Sequence, residues 1–150
     1  MIVVVLGVLA ITAWPLTQLW ENTITPWSPT GDQEQIALGA QLYLINCAAC
    51  HGHGLKGEAD WQTRDAEGFL PAPPHDETGH TWHHTDDLLF DLTKFGIAKF
   101  SGSDNYKTRM PAYEGILLDT EIRAILTYIK SQWPEDIRKR HHEMNQQSRN

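Results

Sequence analysis

Basic residues are missing from the first third of this 150-residue chain: no lysine or arginine precedes Lys56. Cysteine is almost absent, with only Cys47 and Cys50, so no distant pair exists to close a disulfide scaffold. Cationic surface is scarce as well. The formal charge of −7 excludes a nucleic-acid binder, whose phosphate partners demand a basic face. No alternating strand pattern and no internal repeat interrupts the chain, which excludes the sheet-based classes. What basic charge there is gathers late. Residues 138–150 carry Arg138, Lys139, Arg140 and Arg149 against Glu143, a net +3 that leaves −10 on everything before them.

The first twenty residues, MIVVVLGVLAITAWPLTQLW, contain no charged side chain. As a helix they would span about 30 Å, roughly one hydrocarbon core. A cleaved leader is the competing reading, but the nearest small-x-small sites, Val8-Leu9-Ala10 and Ile11-Thr12-Ala13, would leave it shorter than the usual ~15–30 residues. Trp14, Trp20 and Trp27 suit a membrane interface. The expectation is therefore an uncleaved anchor over residues 1–20, then a Pro-containing linker over 21–31. A globular domain follows over 32–134, and a polar, basic tail over 135–150.

Within the domain, Asp32 can cap a helix running to Asn46, with Ile36, Leu38, Leu42, Tyr43 and Ile45 as its apolar residues. Residues 52–74 are rich in Gly, Pro and charge and read as loop. Thr85 caps a second helix with Asp86 and Asp87 in its first turn, Lys94 near its end and Gly96 as its stop. Residues 96–112 read as irregular. A third helix over Asp119–Trp133 shows Ile122, Ile125, Leu126, Ile129 and Trp133 at helical spacing, with Pro134 behind it. The tail places acidic residues before basic ones, as a short helix prefers, but a solvated extension or a docking arm fits it equally. So little secondary structure for this length implies another body to bury apolar surface against.

Cys47-Ala48-Ala49-Cys50-His51 names that body. On one turn at a helix end, two thiols three residues apart reach the two vinyl groups of one haem, and the adjacent imidazole is directed at the iron. A thioredoxin-like pair would sit beside a βαβ pattern, and a zinc site would need a third and fourth ligand. A six-coordinate iron needs a second axial ligand. Met1 lies in the expected anchor and Met144 in the tail. Met110 sits in Arg109-Met110-Pro111-Ala112-Tyr113 before the third helix, where Pro111 restricts it to extended backbone. A thioether there raises the reduction potential relative to two imidazoles. The alternative is an ordinary core methionine.

Through these motifs, residues 32–134 resemble the class I cytochromes c, in particular the small membrane-tethered bacterial type. The resemblance implies an all-α fold, three main helices plus loops around one covalent haem c, here with an N-terminal transmembrane helix. It implies that Gly39 and Tyr43 on the first helix cross Tyr128 on the last. Within Pro71-Ala72-Pro73-Pro74, it implies that Pro73 offers its carbonyl to His51, and that Met110 is the sixth ligand. His75-Asp76-Glu77-Thr78-Gly79-His80-Thr81-Trp82-His83-His84 departs from the family pattern, with His75 where a leucine packs on the porphyrin. Trp82 and histidines such as His75 and His83 are expected to donate to the haem propionates; a second metal on this loop is the rival. The expected function is non-enzymatic: a carrier tethered to the cytoplasmic membrane on its periplasmic side. It would take electrons from a quinol-oxidising complex or dehydrogenase and pass them to a terminal oxidase. A fixed haem subunit of one membrane complex, or a metal-binding module using the His-rich loop, are the alternatives.

Overall fold

The computed structural model describes residues 33–103 and 105–149. Five helices are seen: α1 (Gln33–Asn46), α2 (Ala48–His51), α3 (Asp86–Phe95), α4 (Asp119–Ser131) and α5 (Glu135–Gln147). Short 3-10 turns occupy Thr81–His83 and Ile97–Phe100. No strand occurs among the described residues.

The frame is the crossing of α1 over α4. α1 is apolar nearly all round, but its buried residues are Gly39 and Tyr43. A Cβ at Gly39 would lie 2.0 Å from the carbonyl oxygen of Ala124 and 2.9 Å from Tyr128 Cβ, so only glycine admits α4 this closely. One turn on, the Tyr43 and Tyr128 rings meet at 5.5 Å with planes inclined by 52°. α4 answers with an amphipathic pattern whose Ile122, Ile125, Leu126 and Ile129 are all buried. Its start is pinned by Glu121, whose carboxylate accepts from the backbone N–H of Leu118 at 2.8 Å, and the negative side chain suits a helix N-terminus. α3 begins where Thr85 Oγ1 accepts from Leu88 N and stops at Gly96. α4 ends two residues earlier than its apolar spacing suggests. Trp133 lies beyond it in a turn, 1 % exposed, with its indole N–H donating to His75 O at 2.7 Å.

The 135–147 segment is a helix, and it is packed. Ile137, His141 and Asn145 recur every four residues on its buried side. Asn145 Oδ1 accepts from the Asp86 N–H at 2.8 Å, which satisfies a donor in the first turn of α3 from 59 residues away. Beneath it Lys130 donates to Asp86 at 3.1 Å, both side chains under a tenth exposed. Burial lifts the Asp86 carboxyl to about 6, against the pull of Lys130, and lowers Lys130 to about 8. Both remain charged at neutral pH. His141, lowered to about 4 by burial and then by Lys130, is neutral. Its Nε2–H donates to His84 O at 3.0 Å.

The expectation of a fold that includes a transmembrane helix is corrected here. Among the described residues no helix is long and apolar enough to cross a membrane. The longest, at fourteen residues, would reach only about 21 Å of a core near 30 Å. The anchor placed on residues 1–20 and the linker on 21–31 lie outside the described residues. The fold class is corrected to the all-helical domain, and the single-pass membrane location and tethered mode of action lose their structural footing with it.

Candidate haem-attachment site

The two thiols and the imidazole share one short turn. Cys47 N donates to Tyr43 O at 2.8 Å and His51 N to Cys47 O at 2.9 Å, so α2 continues α1 after a slight break. Tyr43 closes the turn from below, its hydroxyl donating to Gly52 O at 2.9 Å. Tyr113 holds the other end by donating to Asn46 O at 2.7 Å. Two buried tyrosines thus fix where Cys47, Cys50 and His51 stand.

His51 is buried, with Nδ1 2.8 Å from the carbonyl oxygen of Pro73. A carbonyl only accepts, so Nδ1 carries the proton and Nε2 keeps its lone pair. Burial, the largest influence, lowers the affinity of this imidazole for a second proton, against the Pro73 hydrogen bond and Glu58. The ring is the neutral tautomer that a metal requires. Gly57 brings the Pro73 loop close: a Cβ there would lie 2.5 Å from Ala72 O and 2.6 Å from Pro73 C. Its φ of +64° also favours glycine. Its N–H donates to His51 O at 2.8 Å. Leu55 adds a strained link at φ +65°, its carbonyl accepting from both His75 N and Asp76 N.

Cys50 is exposed and Cys47 half-buried. Burial pushes the Cys47 thiol up to about 11, although a Tyr113 hydrogen bond opposes it. A thioredoxin-like exchange centre needs the reverse, a thiol made acidic by its surroundings. Zinc is no better served. No three His, Cys, Asp or Glu side chains among the described residues are grouped as a metal would need. The same fact removes support for a second metal on the His75–His84 loop.

Met110 is half-buried, its N–H donating to Thr108 Oγ1 at 3.0 Å. Its loop is held on both sides. Arg109 pairs with Asp65 at 2.7 Å and lies 4.1 Å over the Phe69 ring, while Tyr113 N and Glu114 N donate to Thr93 O and Lys94 O of α3. His75 stacks on His51, with ring centroids 4.0 Å apart, and its Nδ1 lies 2.8 Å from Thr81 Oγ1. Trp82 Nε1 points at Glu77 O at a long 3.4 Å. His83, exposed, stacks on Trp82 at 3.7 Å. His80 stacks on Trp61 at 5.2 Å. Sequence reasoning missed that Arg64, Lys107 and Arg109 gather on the 65–69 turn, because they are scattered along two loops. It also missed the buried Asp86–Lys130 pair, whose only trace was two charges at otherwise unremarkable helix positions.

The residues present fit a covalent haem: two thiols on one turn, one imidazole with Nε2 left for iron, and a thioether on a well-held loop. The family that matches the chain is Cytochrome c, over residues 36–133. The chain belongs to the cytochrome c family. No curated protein matches it, and no solved structure does. Membership makes this a class I cytochrome c domain, an electron-transfer protein rather than an enzyme, and implies haem c attached through cysteines.

Proposed function

We propose that the chain carries one haem c and moves single electrons between protein partners, with Cys47 and Cys50 as its thioether anchors. When bound, the haem supplies a one-electron ferric–ferrous couple. His51 Nε2 and Met110 Sδ would be the protein groups that hold its iron. Pro73 O holds the His51 ring in the ligating tautomer and makes the imidazole a stronger donor. A thioether paired with an imidazole would favour the ferrous state. With both groups bound, the protein would leave no position on the iron for oxygen or peroxide. A dehydrogenase or quinol-oxidising complex as donor and a terminal oxidase as acceptor are the partners this reading suggests.

The observation that carries the proposal is the His51 Nδ1 to Pro73 O contact of 2.8 Å. It leaves a metal-ready nitrogen on the same turn as two thiols. The test is acid–acetone extraction of the purified protein. Haem should stay with the polypeptide, and Cys47→Ser with Cys50→Ser should leave mostly unfolded apoprotein, since so small a core depends on its cofactor. Haem passing into the organic phase would sink the proposal.

A further inference from the structure

His75 occupies the position where the family resemblance implies a leucine. Its ring lies nearly parallel to that of His51, with centroids 4.0 Å apart and planes inclined by 21°. That is closer than the ~4.5–7 Å usual for aromatic pairs. The ring is also anchored away from His51. Its Nδ1 lies 2.8 Å from Thr81 Oγ1, a bond open to either tautomer because a hydroxyl both donates and accepts. Thr81 is itself buried. A Cβ at Gly79 would lie 2.0 Å from Pro74 O, so only glycine lets the turn before Thr81 close on Pro74. The backbone is gripped too. His75 N donates to Leu55 O at 2.7 Å, and the Trp133 indole donates to His75 O at 2.7 Å.

The hydrogen bond of His51 holds its ring at one point. The contact from Nδ1 to Pro73 O at 2.8 Å fixes that atom, but the ring can still rock about the bond, and the terminal torsion of a histidine is broad. A flat neighbour against its face removes this freedom. Both restraints come from one short stretch, residues 73–75, which Leu55 and Trp133 fasten to the rest of the fold. A leucine can fill the same space, but its branched end presents no plane against which a ring aligns. Withdrawal from water, then the neighbouring His51 and His80, holds the proton affinity of His75 well below that of a free imidazole. The stacked ring therefore stays neutral and brings no charge to its neighbour.

We propose that His75 is a positioning residue for the His51 imidazole: its face and Pro73 O together set the plane of that ring, and hence the direction of the Nε2 lone pair. The inference rests on the haem-binding reading above, in which Nε2 holds the iron. A ligating imidazole takes its orientation from the group bonded to its outer nitrogen. The stacked ring adds what a bond at one atom leaves open, the rotation about it. Functional groups need supporting contacts that hold them within about 10–20° of the working geometry. Plain space-filling at position 75 is the alternative, and it makes no demand for a planar side chain.

The experiment uses holoprotein in which covalent attachment and the displaced ring-proton resonances of an iron-bound histidine have been recorded first. Their absence from wild type would be failure of the parent reading, before any variant is compared. Proton NMR of the ferric protein is then taken for wild type, His75→Leu, His75→Asn, His75→Phe and Thr81→Val, with urea unfolding of each alongside. The two Cβ protons of His51 are the gauge, because the hyperfine shift of each depends on the angle its C–H bond makes with the ring plane. The difference between the two shifts should change in His75→Leu, and in His75→Asn, which keeps a polar partner for Thr81 without a ring. His75→Phe should recover most of the wild-type difference. Thr81→Val, which loosens the stacked ring but leaves it in place, should move the difference in the same direction as His75→Leu and by less. A difference that stays at its wild-type value in His75→Leu, whatever the change in stability, would overturn the proposal. So would a change in His75→Leu that His75→Phe leaves unrecovered. Should His75→Leu fold too poorly to hold haem, Thr81→Val decides, and an unchanged difference there overturns the proposal.

Discussion

Gly39→Ala is the most direct probe of the frame that positions the site. A methyl group at this position would stand 2.0 Å from Ala124 O, 2.6 Å from Ala124 C and 2.9 Å from Tyr128 Cβ. Two of those atoms are backbone and cannot rotate away. Comfortable contacts lie near ~3.5–4.0 Å, so α1 and α4 must part by more than ~1 Å. A gap of that size forfeits roughly a quarter to a half of each dispersion contact across it. The contacts affected include those of Tyr43, Ile122 and Ile125, all at most 2 % exposed. Overpacking of this kind costs about 3 kcal/mol or more, while replacing a mid-helix glycine by alanine returns about 1 kcal/mol. The expected result is a net loss of about 2–3 kcal/mol in urea unfolding of the ferric holoprotein, with an unchanged denaturant slope. Gly54→Ala is the control: nothing lies within 4 Å of a Cβ there, and stability should hold to within about 0.5 kcal/mol. If Gly39→Ala matches or exceeds wild type, the close approach does not govern the crossing and the reasoning fails.

Lys130→Met alone should destabilise by about 3–5 kcal/mol by leaving the buried Asp86 carboxylate without its cation, whereas Lys130→Met with Asp86→Leu should lie near wild type; equal losses in single and double variants would contradict this. The same cluster makes a signed pH prediction. His141, held near 4 in the fold against about 6.5 unfolded, costs stability as pH falls through that window. Asp86, held near 6 against about 3.9 unfolded, returns stability over much of the same range. The two contributions therefore oppose each other between pH 4 and 6, on top of the acid loss from His75, His80 and His84, whose proton affinity burial also lowers. Relative to wild type, Asp86→Asn should lose stability with acid more steeply, by at most about 1.4 kcal/mol per pH unit, and His141→Gln less steeply; slopes that depart from wild type in the same direction in both variants would refute the opposition. Finally, Met110→Ala should abolish the weak far-red sulfur-to-iron absorption band of the oxidised protein and lower its potential; a band that survives the substitution would return Met144 or a loop histidine to consideration.

Much of this arrangement was legible because the relevant signals are local. Thr85, the acids after it and Gly96 mark α3 at both ends, since capping acts within one turn. Cys47, Cys50 and His51 announce themselves by spacing. The Gly39–Tyr43 pair and the choice of Pro73 needed the family resemblance; the fold sets Gly39 against α4 and His51 Nδ1 2.8 Å from Pro73 O. What stayed hidden depends on distant partners. Ile137, His141 and Asn145 have helical spacing, but two of the three are polar, so hydropathy gives no warning that they are buried. Lys130 on α4 reads as a solvent-facing charge until α3 and α5 enclose it. The cations at 64, 107 and 109 form a cluster only once two loops fold onto each other. His75 stands at the family's leucine position, yet its ring lies against His51, with Tyr43 also near it at 6.4 Å.

The crossing at Gly39 and Ala124 joins positions 85 residues apart, and that span contains every residue assigned to the site, from Cys47 to Met110. It acts as the clasp of a loop. Contacts of such long range slow folding, because closure entropy must be met before they are gained. They also define the unit that opens cooperatively. Release of the clasp frees the attachment turn, the Pro73 loop and the Met110 loop together. Hydrogen exchange at Cys47–His51 and at the amides donating from Tyr113 and Glu114 should therefore follow one common opening free energy.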